Sequence, residues 1–166
     1  MLTLSEAREK AAKLIDKKIP SSLSLHNWKT KSVISEPVDY ENKGAAGGRV
    51  GFYPNYVIIE IAIAAVLKEK LTLKRIAKAR SLFIDMAAEE GQPQFDREKA
   101  ENLFKDLKQN FDLEQKLFEQ MKATDDPEKK SELARRMVDI ADQQLLLNFY
   151  AENWQDFEHR LKEAEE

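Results

Sequence analysis

The sequence contains no cysteine. Disulfides, thiolate metal sites, thiol redox sensing and cysteine nucleophiles are thereby excluded. Histidine is nearly absent: His26 and His159 are the only two, and neither belongs to a set at metal-ligand spacing such as His-x-x-x-His. Glycine and proline number 5 each, too few for a low-complexity linker. The glycines between Gly44 and Gly51 carry neither Gly-Lys-Ser/Thr nor a following ribose acid, so a P-loop or dinucleotide site is not expected. Long apolar runs are missing too. The most apolar stretch, Tyr56 to Leu67, is broken by Glu60 and falls short of the roughly 20 residues a membrane span needs. The opening residues, MLTLSEAREKAAKLI, alternate charged with apolar side chains and lack the apolar core of a signal peptide. These absences predict a cytoplasmic chain that stays off membranes. No motif has role-specific catalytic spacing, so no enzyme, metal or cofactor is expected.

What the sequence has is charge, unevenly spread. Of its 166 residues 34% are charged and 42% hydrophobic, the balance of a globular protein with long exposed helices. The net charge of -3 hides a split. Residues 1–83 hold 15 lysines and arginines against 8 acids, a net +7; residues 84–166 hold 12 against 22, a net -10. This predicts a basic part with an anionic partner, joined to an acidic part with another job.

The elements follow from local signals. Thr3 and Glu6 have the spacing of a capping box, and Ala7, Ala11, Leu14 and Ile15 line one face of the helix they open. Pro20 and the Ser21–Ser22 pair end that segment and start a second helix, from about Ser22 to Lys31, with Leu23, Leu25 and Trp28 as inward positions. From Val33 to Tyr53, short β-branched or aromatic pieces (Val33–Ile34, Val38, Tyr40, Val50, Phe52, Tyr53) flank turn residues and predict a small β-hairpin with a loose tip. Pro54 suits the first turn of a helix, and Val57 to Leu67 is apolar nearly all round, which predicts burial. Thr72 caps a further helix whose wet face is Lys74, Arg75, Lys78 and Arg80, and Gly91-Gln92-Pro93 stops it.

Beyond that stop, Asp96 caps a helix of roughly 27 residues, carrying Leu103, Leu107, Leu117 and Met121 with Phe104, Phe111 and Phe118 widening the face. Asp125-Asp126-Pro127 breaks it and starts the last helix. There Leu133, Met137, Ile140, Leu147, Ala151, Trp154 and Leu161 recur at spacings of three and four, with Gln144 and Glu158 as the two polar positions of the series. That pattern predicts a coiled coil about 55 Å long and, with it, a homodimer; the alternative is a monomeric antiparallel helix pair packed on the N-terminal domain. The expected organisation is a DNA-binding domain over 1–91 and a helical dimerisation or effector region over 96–166. Phe149, Tyr150, Trp154 and Phe157 could line an aromatic pocket, but at helical spacing they read as core.

The predicted fold is thus mainly α: a helix-turn-helix with a small β-hairpin wing, followed by a long helical hairpin. In such an architecture the second helix enters the DNA major groove and the wing reaches phosphates beside it. The candidate DNA-contacting residues are Ser24, His26, Asn27, Lys29 and Lys31 of the second helix, with Lys43, Arg49 and Tyr53 of the wing. Asn reads adenine edges bidentately; Lys and Ser mostly meet phosphates.

The stretch SLHNWKTKSVI, Ser24 to Ile34, also resembles the second-helix signature of the mercury-resistance regulator (MerR) family, roughly Thr-Leu-Arg-Tyr-Tyr-Glu-x-x-Gly-Leu-Ile. Ser24 stands for the Thr, His26 for the Arg, Trp28 for the second Tyr and Val33–Ile34 for the Leu-Ile, while Asn27 replaces the first Tyr and Ser32 the Gly. GGRVGFYPNYVIIEIAIAAVLKEKLTLKRIAKA, beginning at Gly47, resembles the family's wing, with its Gly-x-Arg-x-Tyr, and the two helices after it. The resemblance covers about residues 3–83. It implies a dimer, joined through a C-terminal coiled coil, that binds an inverted repeat of double-stranded DNA and acts on transcription, often under a ligand and together with a protein such as RNA polymerase. The alternative is a DNA-anchored structural or adaptor protein, for chromosome organisation or packaging, whose acidic coiled coil recruits a protein partner.

Overall fold

The computed structural model describes residues 1–44, 48–87 and 97–165. The predicted Gly47, Gly91-Gln92-Pro93 and Asp96 positions lie outside these residues, as do the side chains of Leu103, Phe104, Leu107 and Phe111. The described residues form six helices and a small three-stranded antiparallel sheet. In order these are β1 (Leu2–Thr3), α1 (Leu4–Ile15), α2 (Ser22–Thr30), β2 (Asp39–Asn42), β3 (Arg49–Tyr53), α3 (Val57–Leu67), α4 (Leu73–Ala87), α5 (Arg97–Ala123) and α6 (Pro127–Glu165). None of the described helices is long and apolar enough to cross a membrane.

Helix starts are where the local chemistry puts them. Thr3 and Glu6 make the full capping box: Glu6 N–H donates to Thr3 Oγ1 at 3.3 Å, and Thr3 N–H donates to Glu6 Oε2 at 2.8 Å. Those donors, first the backbone N–H and then the hydroxyl of Thr3, hold the Glu6 carboxyl below the usual carboxylate range. Thr72 Oγ1 accepts from Arg75 N–H at 3.4 Å ahead of α4, and Asp126 Oδ1 accepts from Glu128 N–H at 3.0 Å at the start of α6. Pro54 lies in the turn before α3, where its carbonyl accepts from Val57 N–H at 3.1 Å.

The sheet order is β1-β3-β2. The β2–β3 hairpin pairs Asn42 with Arg49, and β1 closes the other edge of β3 by pairing Leu2 with Tyr53. Gly44 and Gly48 both take positive φ near its tip, a conformation glycine adopts without steric cost. Two expectations change here. Val33 and Ile34 are not strand residues; they form the buried corner after α2. Leu23, expected inward, is 80% exposed.

The core is one cluster that runs from Leu4 of α1 to Phe157 of α6. α3 lies in its middle: eight of its apolar residues and Glu60 are buried. Against it pack Ala7 and Ala11 of α1, Ile76, Ala79 and Phe83 of α4, and Leu146 to Phe157 of α6. Phe83, Tyr150 and Trp154 form an aromatic knot, with Phe83–Trp154 centroids 5.0 Å apart and Phe83–Tyr150 centroids 5.4 Å apart. The expected split into a 1–91 domain and a separate 96–166 region therefore does not divide the core, because the distal half of α6 belongs to it. Leu147 and Trp154, expected in a dimer seam, are 5% and 1% exposed inside this chain, where a second copy cannot reach them. Tyr150, Trp154 and Phe157 are likewise core.

Candidate nucleic-acid interface

α2 is nine residues long and amphipathic in a narrow sense. Leu25 and Trp28 point inward and are buried, at 0% and 1% exposure. The opposite face carries Leu23, His26, Asn27 and Thr30, all exposed and spaced i, i+3, i+4, i+7. Neither His26 nor Asn27 makes a side-chain hydrogen bond or ion pair among the described residues. Their donors and acceptors are free for a ligand. Sequence reasoning placed His26 and Asn27 on this face but missed Leu23 and Thr30. The i, i+3, i+4, i+7 series was the signal that links all four.

The rest of the candidate set is unevenly placed. Ser24 is half-buried and serves the cap, its N–H donating to Ser21 Oγ at 3.4 Å. Lys29 ion-pairs with Glu36 at 3.5 Å, which ties α2 to the segment leading into β2. Lys31 is the C-cap residue of α2 and is exposed. On the hairpin, Lys43 is exposed near the tip. Arg49 opens β3, donates from Nε to Asn42 Oδ1 at 3.3 Å and lies over the Tyr40 ring at 5.3 Å. Tyr53 is corrected: at 2% exposure it is a core residue that braces β3, and burial raises its phenol pKa.

The corner behind α2 is built with care. Val33 N–H donates to Trp28 O and Ser32 N–H donates to Lys29 O, both at 2.9 Å, the paired bonds of a Schellman C-cap. That motif needs a left-handed residue, usually glycine, and here Ser32 takes it at φ 57°. A left-handed non-glycine residue costs about 1 kcal/mol. Beneath it, Ser35 N–H donates to Glu60 Oε2 at 2.7 Å and Ser35 Oγ donates to Oε1 at 3.0 Å. Arg80 Nε donates to Glu60 Oε1 at 2.8 Å, and Arg80 Nη2 donates to Ser35 Oγ at 2.7 Å. Glu60 is fully buried; desolvation pushes its carboxyl up, and Arg80 and the Ser35 donors pull it back down. The network fastens the end of α2 to α3 and α4. On the other side, Arg8 Nε donates to Pro20 O at 2.7 Å and fixes the connection from α1. Removing one member of such a buried charged network leaves the other uncompensated.

Other cations lie nearby in sequence but are partly spent. Arg75 pairs with Asp142 of α6, and Lys17 pairs with Glu69 at 2.9 Å. Lys68 Nζ sits 5.9 Å from the Trp28 ring. Lys74 and Lys78 are exposed on α4. The Arg75–Asp142 pair joins the basic and acidic halves within one chain, so part of the charge split serves internal docking. No protein-family model matches the chain, and neither a curated protein nor a solved structure matches it.

Proposed function

We propose that the chain is a DNA-binding transcriptional regulator that works as a homodimer through a winged helix-turn-helix. α2 enters the major groove with His26 and Asn27 toward base edges and Leu23 available to a thymine methyl. The β2–β3 hairpin is the wing, from which Lys43 and Arg49 meet the phosphates, and Lys31 does the same at the end of α2. The observation that carries the reading is the exposed face of α2, on which the His26 and Asn27 side chains make no hydrogen bond among the described residues, locked from behind by the Glu60–Arg80–Ser35 corner. A helix held this rigidly, with the side chains of His26 and Asn27 left free, is organised for a partner. Left-handed Ser32 adds support, because it stands where the MerR signature has its glycine.

A two-fold symmetric site needs two copies. With Leu147 and Trp154 occupied, the large apolar side chains left exposed among the described residues of α5 and α6 are Val138, Leu145 and Leu113, at 67%, 47% and 39% exposure, and Val138 and Leu145, seven residues apart, share one face of α6 that a second copy can cover. The exposed Val138–Leu145 face on an acidic hairpin also favours a second reading, a DNA-anchored adaptor that recruits another protein there.

The test is fluorescence anisotropy with random labelled duplexes, titrated against salt, with sequencing of the bound fraction. The expected result is enrichment of an inverted repeat, lost in Asn27→Ala/Lys31→Ala, with affinity falling about 0.9 log units per phosphate contact for each log unit of salt. Binding without enrichment would favour the adaptor. An absence of binding at low salt would overturn both.

A further inference from the structure

Away from the α2 face, the last turns of α6 meet the C-terminal half of α1 and leave a groove between them. Its volume is about 410 Å³, and it is lined by Lys10, Lys13 and Leu14 of α1 and by Arg160, Leu161 and Ala164 of α6. The floor is apolar: Leu14 and Leu161 are half-buried and pack against the core. The rim is cationic. Lys10 and Lys13 have no ion-pair partner among the described residues, although Lys10 lies near enough to Glu6 to act on its carboxyl. Arg160 pairs with Asp156 at 2.8 Å and rests over the Phe157 ring at 5.7 Å, which steadies its guanidinium at the edge. No described carboxylate lines the groove; Glu163 is turned to His159 at 3.4 Å.

Three cations around an apolar floor, in a groove within the usual size range of small-ligand sites, select for an anionic head on an apolar body. We propose that this groove binds a small amphipathic carboxylate, of the fatty or aryl acid class, with its head between Lys10, Lys13 and Arg160 and its body on Leu14, Leu161 and Ala164. The ligand clamps the end of α6 to α1. Nothing in this site uses α2 or the hairpin, so it stands whether or not the chain binds DNA.

The probe is dansyl-aminoundecanoate, titrated into the full chain and displaced with decanoate, with decanol as the neutral match. Binding is expected to saturate at one probe per chain. Lys13→Ser/Arg160→Ser is expected to weaken it by about tenfold or more, since two charge-assisted contacts are lost. Ala164→Trp, at an exposed position, fills the groove and is expected to abolish binding while circular dichroism stays unchanged. Decanoate competes and decanol does not. Four results would each overturn the proposal: no saturable binding up to about 1 mM; equal competition by decanol; binding lost in Val138→Ser/Leu145→Ser instead; or displacement by a Glu-rich peptide but not by decanoate, which would assign the groove to a protein partner.

Discussion

Residues 127–145 and 146–161 of α6 carry the same three-and-four spacing of apolar side chains, yet they are held in different ways. The first half meets α5 along a narrow seam: Leu133 is buried, Met137 and Ile140 are half-buried, and Leu133 and Leu117 lie outside the main core cluster. The second half sinks a wider arc, Leu146, Leu147, Tyr150, Ala151, Trp154 and Phe157, into the cluster around α3 and α4. Periodicity tells how wide a helix's apolar stripe is. It does not tell whether the stripe is covered by another helix of the same chain or by a second copy.

The sharpest way to break this comparison is Trp154→Ala. Truncating a buried tryptophan costs about 3–5 kcal/mol through lost transfer energy and the cavity left behind. A urea melt should show that loss in the whole core; a loss near zero would mean that the distal half of α6 is not seated as described. Leu133→Ala should cost less, about 2 kcal/mol, because a two-helix seam packs it on fewer sides. Hydrogen exchange is expected to show the α5–α6 hairpin opening while α3 stays protected. At the junction of the halves, a double-mutant cycle on Arg75 and Asp142 should give about 0.5 kcal/mol of coupling that fades with salt, since both side chains are more than a third exposed. The smallest effect on stability is expected for Val138→Ser/Leu145→Ser, within about 0.5 kcal/mol. Sedimentation is where that pair should act: if two copies meet on this face, the variant shifts toward monomer, and an unchanged profile removes the face from the dimer.

Much of the frame was legible because its signals are local. Thr3 and Glu6, Thr72, and Asp126 with Pro127 mark helix starts by bonds that span two to four residues, and each start lies where those residues put it. β1 was not legible, because two residues are too few to show alternation, and its pairing with β3 is a tertiary fact. The corner network was hidden for the same reason. Ser35, Glu60 and Arg80 are separated by 20 to 45 residues, and only packing brings them together. The α2 face was half legible: His26 and Asn27 follow from residue type, whereas Leu23 reads as core until the orientation of Leu25 and Trp28 is known. Tyr53 failed in the opposite sense, since an aromatic on a wing reads as contact surface until tertiary packing places it in the core cluster.

The two tryptophans of the chain fall one in each place that matters. Trp28 is packed beneath α2, with Lys68 near its ring, and Trp154 stands in the aromatic knot that seats α6. Each can be replaced by phenylalanine to leave a single emitter. The Trp154→Phe protein would then report, in its emission, on the α2 corner alone, and the Trp28→Phe protein on the docking of the long helix alone. Stopped-flow traces of the two, laid over each other, time the closing of the α2 corner against the docking of α6 on α3 and α4.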